Sequence, residues 1–207
     1  LEKVRRYQAQ AKDDEALQLY NAEEDVLLGI INWVERTIAE IRRMEAVEPD
    51  AAIRENLRRM GDANEWVLHH PARDLLEACQ WICWYNMAER IYCRSGAGCQ
   101  LDRMLSPYYQ RSKAQGMTDE EATFLLSCFL LNDPHYYQLG GPAADGSDNT
   151  NALSFLILEA AHRLKSTANL TIRVFDGMDE RLFLRGLEIL FEDRLGSPCF
   201  SGDKALV

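Results

Sequence analysis

The spacing of apolar residues predicts a chain built mainly from amphipathic helices. Apolar side chains recur every three or four residues in long segments, at 21–44, 50–61, 72–92, 118–132 and 149–164, and again before the tail at 196–203. The pairs Asn21–Glu24 and Thr118–Glu121 are typical of capping boxes, and Pro49–Asp50 is typical of a helix start.

Short runs rich in β-branched and aromatic residues predict a few strands between these helices. The candidates lie at about 93–100, 136–140, 169–175 and 197–200. Because helices separate them, parallel or mixed pairing is expected. So few short strands cannot close a barrel alone, and an incomplete sheet leaves unpaired edges. The predicted class is α/β, predominantly helical.

A glycine-rich turn precedes the last helix–strand–helix–strand segment. Gly140 and Gly141 allow positive φ and a close approach of another backbone. The residues from Asp145 to Asp148 are turn formers, and Asp148 or Thr150 is expected to cap the next helix. Asp145 and Asp148 lack the spacing of a calcium loop, so an Asx-type turn is the favoured role.

Composition narrows the classes of function. The chain has 207 residues, enough for one sizeable core, and a net charge of −10 that argues against binding a nucleic-acid backbone. No apolar run approaches the roughly 18 residues of a membrane span, and the first residues lack a signal core. Leu1 stands where a Met would start a natural chain, so an excised piece is expected.

The cysteines and histidines predict neither disulfides nor a metal site. Six scattered cysteines without a CxxC pair favour free thiols in a reducing cytoplasm. The adjacent His69 and His70 point to opposite sides of an extended segment, and neither His135 nor His162 completes a zinc-site spacing. No metal ligand is predicted.

Several segments, in order, resemble the large domain of glycyl radical enzymes, the relatives of pyruvate formate-lyase. The motif comprises Gly140-Gly141, Asp145-Gly-x-Asp148-x-Thr-Asn151, Leu153-Ser-x-Leu-x-Leu-x-Ala160 and Asn169-Leu-Thr-x-Arg173. Matching pieces precede it at 19–44, 70–80, 101–109 and 118–129, so the resemblance covers nearly the whole chain. It implies part of a ten-stranded α/β barrel: 1–70 would be a helical segment leading in, and 71–207 part of the first half-barrel with its outer helices.

The resemblance also implies a radical reaction. In this family a loop cysteine becomes a thiyl radical, a C-terminal glycine stores the radical, and a C–O, C–N, C–S or C–C bond of a small molecule is broken. Both positions lie beyond the equivalent of Val207, so no catalytic residue is predicted here and the piece alone is expected to be inactive. The implied partners are a radical-SAM activating enzyme with an iron–sulfur cluster and a second copy, in an anaerobic cytoplasm. The alternative is a non-catalytic helical scaffold derived from the fold.

Arg94 and Ser95 are the predicted substrate contacts. Many family members have Gly-His-Ser where this chain has Cys93-Arg94-Ser95. A guanidinium suits a carboxylate, sulfonate or phosphate, so Arg94 favours an anionic substrate. The alternative is that Arg94 pairs with a structural acid such as Asp102. The glycine-rich turn, with Gly140, Gly141, Asp145 and Asp148, is expected to lie near the cavity as a structural element.

Overall fold

The computed structural model describes residues 1–93, 99–134, 136–165 and 168–203. The chain divides into two compact units, Leu1–Pro71 and Ala72–Val207.

Helices make up the first unit. Its elements are α1 (Glu2–Gln8), α2 (Asp14–Val47) and α3 (Ala51–Val67), with α2 packed against both others. An ion-pair cluster joins α2 to α3: the Arg42 guanidinium contacts Asp62 and Glu65 at 2.6 and 2.9 Å. Gly61 makes room for it, since a Cβ there would lie 2.6 Å from Arg42 Cζ.

The start of α2 corrects one sequence prediction. Asp13 has an extended backbone and accepts a hydrogen bond from Ala16 N at 2.8 Å, so the helix begins at Asp14 and Asn21 lies inside it. The predicted capping box at Asn21–Glu24 is therefore wrong, because no helix breaker separates Asp13 from the apolar stripe. Asp50 caps α3 as predicted, although that helix continues past Gly61.

The second unit combines five described helices with a small parallel sheet. The helices are α4 (Leu75–Cys93), α5 (Leu101–Ala114), α6 (Asp119–Asn132), α7 (Ala152–Leu164) and α8 (Glu180–Asp193). The strands are β1 (Tyr137–Gly140), β2 (Leu170–Val174) and β3 (Cys199–Gly202), parallel and in the order β1-β2-β3. The predicted α/β, predominantly helical class is confirmed. Of the candidate strand at 93–100, Gln100 forms an isolated parallel bridge with Gln138, and 94–98 lie outside the described residues.

The two faces of the sheet differ in polarity. One face carries Tyr137, Leu139, Leu170 and Ile172, all fully or almost fully buried, together with Phe200. Helix α5 packs on β1 and α8 packs on β2. Glycine at position 186 lets α8 approach closely, because a Cβ there would overlap Ile172 Cδ1.

The opposite face, which we call the open face, carries Gln138, Thr171, Arg173, Cys199 and Ser201. These side chains are partly or fully exposed. Gln138, Thr171 and Cys199 lie in register across the three strands, and Arg173 lies in register with Ser201. The apolar–polar alternation along each strand therefore separates a core side from a polar side.

The sequence predicted the caps of two helices in this unit, and one of the two predictions is confirmed. The capping box Thr118–Glu121 is present at α6, as predicted. Helix α7 is capped by Asn151, whose side chain accepts from Leu153 N at 2.9 Å, while Ser154 Oγ accepts from Asn151 N at 3.0 Å. The expected cap at Asp148 or Thr150 is wrong, because the Asp148 carboxylate is occupied by other donors.

Candidate functional site

Polar groups gather where the three parallel strands end. The carboxyl ends of parallel strands meet at one edge of a sheet, and open α/β sheets bind ligands outside that edge. Here β1 ends at Gly140, the side chain of Arg173 stands near the end of β2, and Asp203 follows β3. The glycine-rich turn 140–151 borders the same edge.

A buried carboxylate fixes the start of this turn. Asp102 is 0% exposed; its Oδ2 accepts from Gly140 N at 2.7 Å and from Ser154 Oγ at 2.5 Å, and its Oδ1 accepts from Arg103 N at 2.7 Å. Burial raises the pKa of Asp102, and the donors from Ser154 and Gly140 oppose that rise. One side chain thus joins the first turn of α5, the end of β1 and the first turn of α7.

The two glycines at the end of β1 adopt the conformations that the sequence predicted. Gly140 and Gly141 have φ of +65° and +90°. Gly141 also has a steric role, since a Cβ there would lie 2.8–3.0 Å from Cδ, Nε and Cζ of Arg173. The Arg173 side chain therefore occupies the space that a larger residue at 141 would take.

Arg173 and Asp203 form a two-point ion pair at the strand ends. Arg173 Nε and Nη2 donate to the two carboxylate oxygens of Asp203, both at 3.0 Å. The side chains are 25% and 15% exposed. Such a fork geometry fixes the plane of the guanidinium and links β2 to the residue after β3.

The carboxylates of the turn accept hydrogen bonds from nearby backbone N–H groups and hydroxyls. Asp145 accepts from Ser147 N and Oγ at 3.0 and 2.6 Å, which is the Asx-type turn expected from the sequence. Asp148 Oδ1 accepts from Thr150 N at 3.0 Å, while its Oδ2 accepts from Asp179 N at 2.7 Å. Asp148 therefore ties the turn to the N-cap residue of α8.

Sequence reasoning missed Asn149, which lies in the same turn. Its Nδ2 is buried and has no hydrogen-bond partner within the described part of the chain. Its backbone N donates to Gly141 O at 3.0 Å. No local sequence pattern distinguishes Asn149 from its polar neighbours, so the buried amide nitrogen is recognised only in the folded turn.

Sequence reasoning also missed a second buried polar cluster, between α4, α6 and β1. Asp133 Oδ2 accepts from Asn86 Nδ2 at 2.5 Å and from Tyr137 Oη at 2.7 Å, and Asp133 Oδ1 accepts from Arg90. Burial, together with Asp133, raises the pKa of the neighbouring Cys83 thiol to about 12. That thiol is protonated at neutral pH and is a poor nucleophile.

The predicted substrate contacts, Arg94 and Ser95, lie outside the described residues, and so does the proposed pairing of Arg94 with Asp102. Within the described ranges Asp102 has the three donors given above. Among the described cysteines, Cys79, Cys83, Cys99, Cys128 and Cys199 are free thiols. In that same part of the chain, no group of three His, Cys, Asp or Glu side chains could hold a metal ion, and none of the helices is long and apolar enough to cross a bilayer.

Known proteins match this chain throughout. The family model described as pyruvate formate lyase-like matches residues 1–207. The isethionate sulfite-lyase of Desulfovibrio desulfuricans is 29% identical over 176 residues, covering 72% of this chain and 21% of that protein. A solved structure concerning 1,2-propanediol dehydration in Roseburia inulinivorans has a TM-score of 0.85 at 25% identity, covering 98% of this chain and 29% of that one.

A glycyl radical enzyme from Archaeoglobus fulgidus shares the fold, with a TM-score of 0.81 at 20% identity over 99% of this chain and 29% of that one. The chain therefore spans less than a third of the length of each of these relatives.

Proposed function

Because this chain belongs to the pyruvate formate lyase-like family, we propose that it forms one part of a glycyl radical enzyme that breaks a bond in a small molecule. The match over residues 1–207, which confirms the resemblance seen in the motifs, is the observation that carries the proposal. The whole enzyme would be a lyase or dehydratase, and this piece alone would be inactive.

The role proposed for this chain is to form part of the wall of the reaction chamber. When present, the radical supplies hydrogen-atom abstraction from the substrate. This chain would contribute the scaffold of the wall: helices cover the apolar face of the sheet, and the open face presents polar groups. Such a wall excludes water and oxygen and orients the substrate. The residues of the glycine-rich turn, Gly140, Gly141, Asp145 and Asp148, would support this wall as structural elements.

The proposed substrate class is a small anion. Arg94, beside Ser95, offers a permanent positive charge where many family members have histidine. The name of the Desulfovibrio relative specifies isethionate, a sulfonate, whereas the Roseburia structure concerns an uncharged diol. The arginine supports the anionic choice for this chain. Further expectations are an activating enzyme of the radical-SAM type, a homodimer and an anaerobic cytoplasm.

The decisive experiment uses the full-length protein, treated anaerobically with its activating enzyme. We expect an organic-radical signal by electron paramagnetic resonance and turnover of a substrate from a panel that includes isethionate and 1,2-propanediol. If no radical forms although the activating enzyme itself is functional, the proposal is refuted and the non-catalytic scaffold is favoured.

Arg94→Ala tests the substrate class. We expect this variant to weaken binding of the anionic substrate far more than it lowers the melting temperature. A large drop in melting temperature with unchanged binding would instead support pairing of Arg94 with a structural acid. Arg59→Ala, at an exposed position in α3, is the matched control.

A further inference from the structure

Two residues of the open face, Gln138 and Thr171, carry hydrogen-bonding groups that the described part of the chain does not use. Neither the side-chain amide of Gln138 nor the hydroxyl of Thr171 makes a hydrogen bond to a described residue. The polar side chains nearby are occupied, since Arg173 is held by Asp203 and Asp102 accepts from three donors. The amide and the hydroxyl are therefore available to a molecule from outside.

The strand geometry places these two side chains next to each other. Gln138 pairs with Thr171 in the parallel register of β1 and β2, and neighbouring strands lie about 4.8 Å apart. The residues on either side of each are more buried or lie against the helices, as the alternation along both strands requires. Neither Gln138, Thr171 nor their direct neighbours have a positive φ. Regular strand alternation therefore applies, and both side chains project from the open face.

The open face is poor in charge compared with the outer surface of the same unit. Of the side chains that define it, only that of Arg173 is charged, and Asp203 pairs with it at two points. The exposed side of α8, in contrast, carries Glu180, Arg181, Glu188 and Glu192. Surfaces toward bulk water are rich in charged residues, whereas small-molecule pockets contain a few uncharged polar groups that fix orientation. The open face therefore suits a small polar molecule.

The chemistry of the pair matches a hydroxyl group. A glutamine amide offers two N–H donors and one acceptor oxygen, and a threonine hydroxyl both donates and accepts. Side chains on neighbouring strands about 4.8 Å apart can both reach a single oxygen at about 2.8 Å. A hydroxyl between them would accept one hydrogen bond and donate another. A carboxylate or sulfonate oxygen only accepts, and this uncharged pair offers it no compensating charge.

We propose that Gln138 and Thr171 together bind a hydroxyl group of the substrate, which lies between their two side chains. This inference rests on the proposed function and deepens it. Arg94 would hold the anionic group, whereas the Gln138–Thr171 pair would select for the hydroxyl. Both members of the pair are specificity-determining residues and take no part in forming the radical.

The test uses the activated full-length enzyme and the panel substrate that it turns over fastest, which we expect to carry a hydroxyl. Thr171→Val removes the hydroxyl but keeps a β-branched side chain suited to a strand. We expect the wild-type radical signal and a KM raised about tenfold, as for the loss of one hydrogen bond of about 1.4 kcal/mol. The melting temperature without substrate should not fall, because no internal hydrogen bond is lost. Thr171→Ser keeps the hydroxyl and should keep a KM close to that of the wild type.

A second variant and a substrate analogue identify the group that is bound. Gln138→Met should raise KM in the same way, and Gln110→Met, at an exposed position in α5, is the matched control that should change nothing. The analogue has hydrogen in place of the hydroxyl and is measured as a competitive inhibitor. Thr171→Val should change its inhibition constant by less than about twofold, because the group that the threonine binds is absent.

Several outcomes would overturn this inference and leave the proposed function standing. One is an unchanged KM for Thr171→Val or Gln138→Met with an intact radical signal. Others are a fastest substrate without a hydroxyl, or an equal loss of affinity for substrate and analogue. A fall of several degrees in melting temperature without substrate would assign the pair to the fold and overturn the inference as well. Absence of a radical in the wild-type enzyme would remove both proposals.

Discussion

Replacement of Asp102 by alanine is predicted to lower the free energy of unfolding by about 2–4 kcal/mol. The substitution removes the acceptor for two buried donors, Gly140 N–H and Ser154 O–H, which lie 38 and 52 residues away in the sequence. An unsatisfied buried donor costs about 1–3 kcal/mol, so two cost about 2–6 kcal/mol. Removing a buried carboxyl, whose pKa is raised by burial, recovers part of that cost.

A double-mutant cycle with Ser154 separates a shared network from two independent contacts. Ser154→Ala alone loses the bond to Asp102 and the acceptor for Asn151 N, at a cost of about 1–2 kcal/mol. Because both substitutions break the same hydrogen bond, the double variant should be less destabilised than the sum, by about 1 kcal/mol or more. Urea denaturation, monitored by far-ultraviolet circular dichroism, gives the free energy of unfolding of each variant in the cycle.

The control for this cycle is Ser147→Ala, at an exposed position in the same turn, where the lost hydroxyl donates only to the exposed carboxylate of Asp145. It should change the free energy of unfolding by no more than about 0.5 kcal/mol. A loss below about 1 kcal/mol for Asp102→Ala would refute the role of Asp102 as a buried acceptor. Additivity within about 0.3–0.5 kcal/mol would refute the shared network.

Two further predictions concern packing and charge. Gly29→Ala, with open space around the added Cβ, should stabilise α2 by about 0.5–1 kcal/mol. Gly186→Ala should give a free energy of unfolding at least about 1 kcal/mol lower than that of Gly29→Ala, because its Cβ overlaps Ile172. Urea denaturation measures both variants, and equal stabilisation would disprove the contact with Ile172. The Arg163 guanidinium holds the pKa of Glu159 below its usual value of 4.5. The ion pair therefore stabilises the fold fully above pH 4.5, and this stabilisation is lost as the pH falls through the lowered pKa of the folded state. Glu159→Gln should therefore cost up to about 1 kcal/mol at neutral pH and nothing in strong acid; a pH-independent cost would contradict the linkage.

The helices were predictable from sequence because their information is local. Periodicity and capping chemistry act over a few residues, which is why the box at Thr118–Glu121 is present. The same rule failed at Asn21, since an earlier cap at Asp13 competes for the same apolar stripe. Where two capping signals precede one stripe, local rules do not decide between them.

The candidate site was only partly predictable, because its contacts join distant parts of the chain. The positive φ of Gly140 and Gly141 follows from residue type. The contact between Gly141 and Arg173 depends on the register of β1 against β2, which no local pattern specifies. The buried amide nitrogen of Asn149 depends on the pairing of Pro142 with Asp148 inside the glycine-rich turn. Such features emerge only when the strands are aligned.

The open face of the sheet is the strongest physical argument that this unit serves a larger chamber. Parallel sheets are usually covered on both faces and are then apolar on both. Here the three parallel strands have one apolar face covered by helices, while the other carries a row of Gln138, Thr171 and Cys199. The proposed function accounts for this pattern: in a partial barrel the second face would turn toward the interior, and its polar residues would face the substrate instead of bulk solvent. The alternation that completes the core on one side would then supply a binding surface on the other.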